Sequence, residues 1–228
     1  MSTEISDDFD FEPEPGLPAA LPVGERIVWQ GAPRWQDLAR QAYHIEWIAS
    51  YFAVLVIVRF VFAVRGGQPW GTALLSFGTL TIAAAVAVAV LAGIAYYAAR
   101  TTLYTLTTKR VIIRFGIALP VTINLPFAAM AAADLAQREN TIGDISISPA
   151  ANTRVAYLLL WPHVRAWHVN RPQPTLRCIA HAGEVAQLLG EQLRQSAARE
   201  DVAVVRVSRA ASASPGIVPA YAALTAAE

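Results

Sequence analysis

Two long apolar runs govern what this chain can fold into. Residues 45–64 hold only two charges, Glu46 and Arg59, and residues 72–99 hold none. A helix crossing the hydrocarbon core of a bilayer needs about 20 apolar residues, so each run is long enough. Between them lies Arg65-Gly66-Gly67-Gln68-Pro69-Trp70-Gly71. Two glycines and a proline there predict a tight turn between antiparallel helices. Trp47, Tyr51, Trp70, Tyr96 and Tyr97 fall near the run ends, as in an interfacial aromatic belt. The competing fold, a soluble hairpin inside a large core, lacks material: the rest of the 228-residue chain is too short to cover it. Composition agrees. Charged residues make up 15% of the chain, against about 25% in soluble domains.

Basic residues set the expected orientation. Arg26, Arg34 and Arg40 precede the first run, and Arg100, Lys109, Arg110 and Arg114 follow the second, whereas the turn holds only Arg65. The positive-inside rule then places both termini of this multi-pass chain in the cytoplasm and the turn outside. Arg59 reads as an interfacial anchor or as a buried partner contact. In the second run Ala85, Ala89 and Gly93 recur every four residues. Small residues at that spacing let helix backbones approach closely, against the chain's own first span or against another protein's helix.

The flanks differ in texture. Residues 1–20 carry six acids, no basic residue and three prolines; they read as a disordered acidic tail. Residues 21–44 contain a short apolar patch at Ile27, Val28, Trp29 and Gly31. Trp35, Leu38, Ala39, Ala42 and Tyr43 then recur at helical spacing, which predicts an amphipathic juxtamembrane segment. From Thr101 the apolar period becomes two. Strands are expected at 103–107, 111–115, around Ile123 and Leu125, around Ile145 and Ile147, at 155–160 and at 176–179. Val185, Leu188, Leu189 and Leu193 then share one helix face. The expected architecture is membrane α plus β. A two-helix transmembrane hairpin, 45–99, leads into a cytoplasmic antiparallel β domain, 100–199, closed by a C-terminal helix. Residues 200–228 read as a weakly ordered tail.

Catalytic chemistry finds little support. The one cysteine, Cys178, excludes a disulfide framework within the chain. His163 and His168 precede Cys178 and His181 without any standard zinc spacing, so no metal site is expected. Phosphate loops, HExxH and GxSxG motifs are missing, and the β domain's carboxylates are few and scattered, so no enzyme is expected. His44 stands just before the first apolar run and reads as a polar interfacial residue. A net charge of +1 argues against bulk polyanion binding, and no nucleic-acid signature accompanies the aromatics. The β domain alone is basic. Lys109, Arg110 and Arg114 could meet anionic lipid, an acidic partner surface or only solvent. In Trp161-Pro-His-Val-Arg-Ala-Trp167, Pro162 should end the preceding strand's ladder and leave a loop. Trp161, His163, Arg165 and Trp167 would then either cap the domain's own core or contact a partner, since Trp and Arg dominate interface hot spots.

Strands closed by a helix follow the order of a pleckstrin-homology-like (PH-like) domain. The run Tyr104-Thr-Leu-Thr-Thr-Lys-Arg-Val-Ile-Ile-Arg-Phe-Gly116 resembles the opening hairpin of bacterial PH-like domains, as do Thr122-Ile-Asn-Leu-Pro126 and Gly143-Asp-Ile145. Glu25-Arg-Ile-Val-Trp-Gln-Gly31, Ala156-Tyr-Leu-Leu-Leu-Trp-Pro-His-Val-Arg165 and Leu176-Arg-Cys-Ile179 are similar to one subfamily, the PuhB-type photosynthetic complex assembly proteins of purple bacteria. That resemblance implies a non-enzymatic membrane factor for assembly of the reaction centre and core light-harvesting complex. Its partners would be reaction-centre subunits, core antenna polypeptides and membrane lipids, with self-association open. No cofactor is expected unless His44 ligates bacteriochlorophyll. The alternative is a membrane-anchored PH-like module that binds anionic lipid or organises another membrane complex.

Overall fold

The computed structural model describes residues 16–17, 19–117, 119–138, 141–150 and 156–212. Most of the acidic tail, the start of the 155–160 segment and residues 213–228 of the C-terminal tail lie outside the described residues.

The chain opens with strand β1 (Ile27–Gly31) and helix α1 (Trp35–Gln41), then the long helices α2 (Ile45–Arg65) and α3 (Trp70–Arg100). Strands β2 (Leu103–Thr107), β3 (Arg110–Phe115) and β4 (Val121–Pro126) follow, then β5 (Met130–Gln137) and β6 (Gly143–Pro149). Helix α4 (Tyr157–Leu160), strand β7 (Thr175–Ile179) and helix α5 (Ala182–Ser212) complete it. Two antiparallel sheets result, β1-β2-β3-β4 and β5-β6-β7. The core between the sheets and α5 holds Tyr104, Ile113, Phe115, Ile147, Ile179 and Leu189. Full burial of each large aliphatic contributes about 1.5–3 kcal/mol.

The pairing of β1 with β2 organises the whole molecule. Gly31 lies opposite Tyr104 and Ile27 opposite Thr107, so α1, α2 and α3 are inserted between two adjacent strands of one sheet. The patch at 27–31 is therefore the sheet's edge strand rather than a loose lead-in. A five-residue strand separated from its partner by an insertion has no local signal of pairing.

In α2 and α3 the apolar side chains point outward. Only 6% of the most apolar window of α2 is buried, and none of that of α3. This is not a hairpin hidden in a soluble core; its length and composition are compatible with membrane insertion. Gly67, in the left-handed region at φ 68°, closes the turn after α2. At 1.5 Å per residue α2 is about 31 Å long and α3 about 46 Å. The last turns of α3 therefore outrun α2, and α1 covers them. Leu38, Ala39 and Tyr43 pack on Ala95, Ala98 and Ala99 of α3 and on Cys178 of β7. The apolar face of α1 thus meets protein, where the small alanines allow close approach, and not a lipid surface.

Three more elements differ from the sequence expectation. β5, Met-Ala-Ala-Ala-Asp-Leu-Ala-Gln, has no β-branched residue; it is held by its register with β6, from Met130 opposite Pro149 to Gln137 opposite Gly143. Tyr157–Leu160, expected as strand, is a helical turn. Helix α5 runs on to Ser212, beyond the expected end near residue 199.

Candidate functional site

The 161–167 segment folds back onto the base of the hairpin. Pro162 ends no ladder; instead the segment pairs antiparallel with residues 173–175 at the start of β7. The Arg165 N–H donates to the Gln173 carbonyl and the Thr175 N–H to the His163 carbonyl, each at 3.0 Å. This turns the His163 side chain inward, where it is 1% exposed. Its assignment as a partner-binding residue is therefore corrected: a ring sealed in the core cannot touch a partner.

The hydrogen bonds around His163 run in one direction. Thr102 Oγ1 donates to the Ala98 carbonyl in the last turns of α3 at 2.6 Å. It must then accept from His163 Nε2–H at 3.1 Å. That leaves Nδ1 as the acceptor, and the Tyr104 hydroxyl donates to it at 2.7 Å. The Tyr104 oxygen in turn accepts the Arg177 N–H at 3.2 Å. A chain of bonds thus links β7, β2, the 161–167 segment and the end of α3, and it fixes the neutral Nε2–H tautomer. Burial, and secondarily the Arg177 charge, push the imidazole pKa down to about 3. Burial above all pushes the Tyr104 phenol well above its usual range. Both ring nitrogens are occupied by hydrogen bonds, so the group acts as a strut between helix and sheet.

A second polar bridge joins α1 to the sheet. Asp144 accepts the Cys178 N–H at 2.8 Å and pairs with Arg138 at 3.0 Å. Arg138 Nη1 also donates to Gln41 Oε1, and Cys178 Sγ lies 3.4 Å from the same oxygen. Burial first, and Asp144 second, push the Cys178 thiol up to about 12. The Arg34 N–H adds a bond to the Cys178 carbonyl at 3.0 Å.

The other expected site residues scatter. Trp161 is half-exposed and meets Tyr43 edge-on at 5.3 Å. Arg165 reaches Asp134 at 3.1 Å and Gln173 at 3.0 Å near the surface. Trp167 is 94% exposed. Of the proposed basic face, Lys109 is exposed and Arg114 half-buried. Arg110 is committed elsewhere: Nε and Nη2 hold the Glu25 carboxylate at 2.8 and 3.1 Å. Its role as a lipid or partner contact is corrected to that of a clasp between β3 and the residues leading into β1. Burial raises the Glu25 pKa, but bonds from Arg110 and Thr107 and the charges of Arg110 and Lys109 outweigh it, leaving the pKa below the usual value.

In α3 the small-residue seam does not pack against the first span. Ala85 and Ala89 are exposed, and a side chain at Gly93 would meet open space. Ala85 borders an apolar groove of about 470 Å³ between α2 and α3, floored by Phe52, Val56 and Phe77. His44 is exposed at the N-cap of α2 with φ 50°. Among the described residues no cluster of His, Cys, Asp or Glu is placed to hold a metal ion. Thr102, Tyr104 and Arg177 complete the junction, yet nothing in their spacing marks them; they meet only through the fold.

Two antiparallel sheets, a closing C-terminal helix and an apolar helical pair inserted after the first strand define a hairpin-bearing PH-like protein. The chain belongs to the bacterial PH domain family, whose model matches residues 48–193. It is 40% identical over 191 residues to a Rhodobacter capsulatus protein described as an uncharacterized 23.7 kDa protein in the puhA 5' region. That alignment covers 81% of this chain and 86% of the relative. No solved structure matches the chain significantly.

Proposed function

We propose that this chain is a PuhB-type, non-enzymatic membrane assembly factor for the photosynthetic reaction centre and core light-harvesting complex. The observation that carries the reading is the relative from the puhA region, alike over most of both chains; puhA is a reaction-centre gene. The family match and the hairpin support a membrane-bound PH-like scaffold. In this reading both termini are cytoplasmic, and α2 and α3 span the inner or intracytoplasmic membrane. The exposed face at Ala85 and Ala89 meets a client's helix, while Arg165 and Trp167 face the client's cytoplasmic part. The struts at His163 and Gln41 hold those two surfaces in a fixed relation. Clients are reaction-centre subunits and core antenna polypeptides.

Affinity capture tests this. Tagged full-length protein, solubilised in mild detergent from cells assembling their photosystem, should recover reaction-centre or antenna polypeptides above an untagged control. Recovery of neither, with the tagged protein itself intact, would contradict the reading.

A further inference from the structure

The α4 turn and Trp161 form an uncharged knuckle, Tyr-Leu-Leu-Leu-Trp, and no charge occurs between Arg154 and Arg165. Leu160 is fully buried. Leu158 is 87% exposed, and Leu159 and Trp161 are about half-exposed. Residues three apart on a helical turn share a face, so Leu158 and Trp161 lie on one side.

Where this knuckle sits decides its partner. Trp161 rests on Tyr43, two residues ahead of α2. Tyr43 is itself packed with Ala95, Ala98 and Ala99 at the end of α3. His163 is bonded to Thr102, two residues past α3. The knuckle is thus fastened to the base of both long helices. Other aromatics ring the same end. Trp47 is exposed in the first turn of α2, Tyr97 is exposed near the end of α3, and Trp35 meets Tyr96 edge-on at 5.9 Å. Trp161 lies at the Tyr97 and Tyr96 side of this group, and Trp and Tyr are enriched at the level of lipid headgroups. The headgroup region is roughly 5–8 Å thick on each side of the hydrocarbon core. Leu158 lies one turn, about 5 Å, from Trp161.

We propose that α4 and Trp161 are a third membrane contact, with Leu158 and Leu159 seated at the boundary of headgroups and acyl chains in the cytoplasmic leaflet. The inference rests on the reading of α2 and α3 as spans, and it assigns the knuckle to lipid rather than to a client. Leucines flanked by Tyr and Trp, without charge, suit that boundary. Such a contact presses the β domain against the leaflet and fixes its tilt beside the exposed face of α3.

Full-length protein in vesicles of phosphatidylcholine and phosphatidylglycerol, with no other protein, tests this. An environment-sensitive fluorophore is placed on Leu158→Cys, on Val86→Cys midway along α3, and on Lys109→Cys. Cys178 is buried, and the unsubstituted chain gives its background labelling. The expected result is quenching of the Leu158 probe by nitroxides near the headgroups, several-fold beyond the Lys109 probe, with the Val86 probe quenched by deep nitroxides. A Leu158 probe that behaves like Lys109 while Val86 is deep would overturn the contact and leave the spans standing. A water-exposed Val86 probe would overturn both. A Leu158 probe exposed in vesicles but shielded in client-containing native membranes would assign the knuckle to protein and overturn the lipid contact.

Discussion

In α2 and α3 the large side chains face outward, Trp47, Phe62 and Leu75 among the most exposed, whereas in the β domain Tyr104, Ile113 and even His163 are sealed inside. The hairpin buries little of its apolar surface against itself, so its stability depends on what surrounds it. The β domain supplies its own core and gives the buried His163, Tyr104 and Asp144 named hydrogen-bond partners. The two regions meet where α3 overshoots α2, and there polar bonds through His163 and Asp144 join the apolar packing of α1 on α3 and Cys178. The exposed apolar surface is therefore concentrated on the hairpin, and the buried hydrogen-bond network in the β domain and its junction.

The sharpest way to break this contrast is to remove the strut. His163→Ala leaves a cavity and strands the Tyr104 hydroxyl, which should cost about 3–4 kcal/mol of β-domain stability. Denaturant melting followed by tryptophan fluorescence in detergent would read it. A loss under 1 kcal/mol would show that the bond chain carries little.

Acid should loosen the same joint. The folded ring is held neutral, with its pKa pushed down to about 3 from 6.5. Below the unfolded value the unfolded chain takes up a proton that the folded state refuses. The stability is fully present above about pH 6.5 and falls toward pH 3 by about 1.4 kcal/mol per unit. Between pH 7 and 5 that is about 2 kcal/mol, and His163→Asn should flatten the slope. An unchanged slope in that variant would place the titrating group elsewhere.

Arg165 sharpens the contrast from the surface side. Its pair with Asp134 is partly exposed, so Arg165→Ala should change stability by less than about 1 kcal/mol. The proposed function nevertheless predicts lower client recovery. A large drop in melting temperature would reassign Arg165 to the fold, and unchanged recovery would remove it from the client site.

The smallest effect on the fold is expected in the hairpin. Gly93 has open space around it and Ala89 is exposed. Gly93→Leu and Ala89→Leu should leave insertion and melting unchanged within about 0.5 kcal/mol. Client recovery should still fall, because a bulky residue blocks close helix approach. Normal recovery from both would mark that face as lipid-contacting surface.

What could be read in the sequence follows the same division. The hairpin was legible because two predominantly apolar runs of 20 residues or more have few other solutions, and Gly66, Gly67 and Pro69 mark its turn. Strands β2, β3 and β6 were legible from alternation around Val111, Ile113, Ile145 and Ile147. β1 and β5 were not: one pairs across an inserted hairpin, and the other is an alanine-rich edge strand whose partner supplies the order. Among the expected site residues, Trp167 and Arg165 lie at the surface, but His163 and Arg110 turn inward. Surface and core histidines look alike in a sequence, and the groups that claimed these two, Tyr104, Thr102 and Glu25, are 59, 61 and 85 residues away.

The central claim, assembly of the photosynthetic reaction centre and its core antenna, is tested most directly in the cell. The gene would be deleted in a purple bacterium that encodes this chain, and near-infrared absorption of its membranes recorded with and without the gene restored in trans. Loss of reaction-centre and core-antenna bands is expected in the deletion strain, with recovery from the intact gene and weaker recovery from His163→Ala. Bands of normal height in the deletion strain would contradict it.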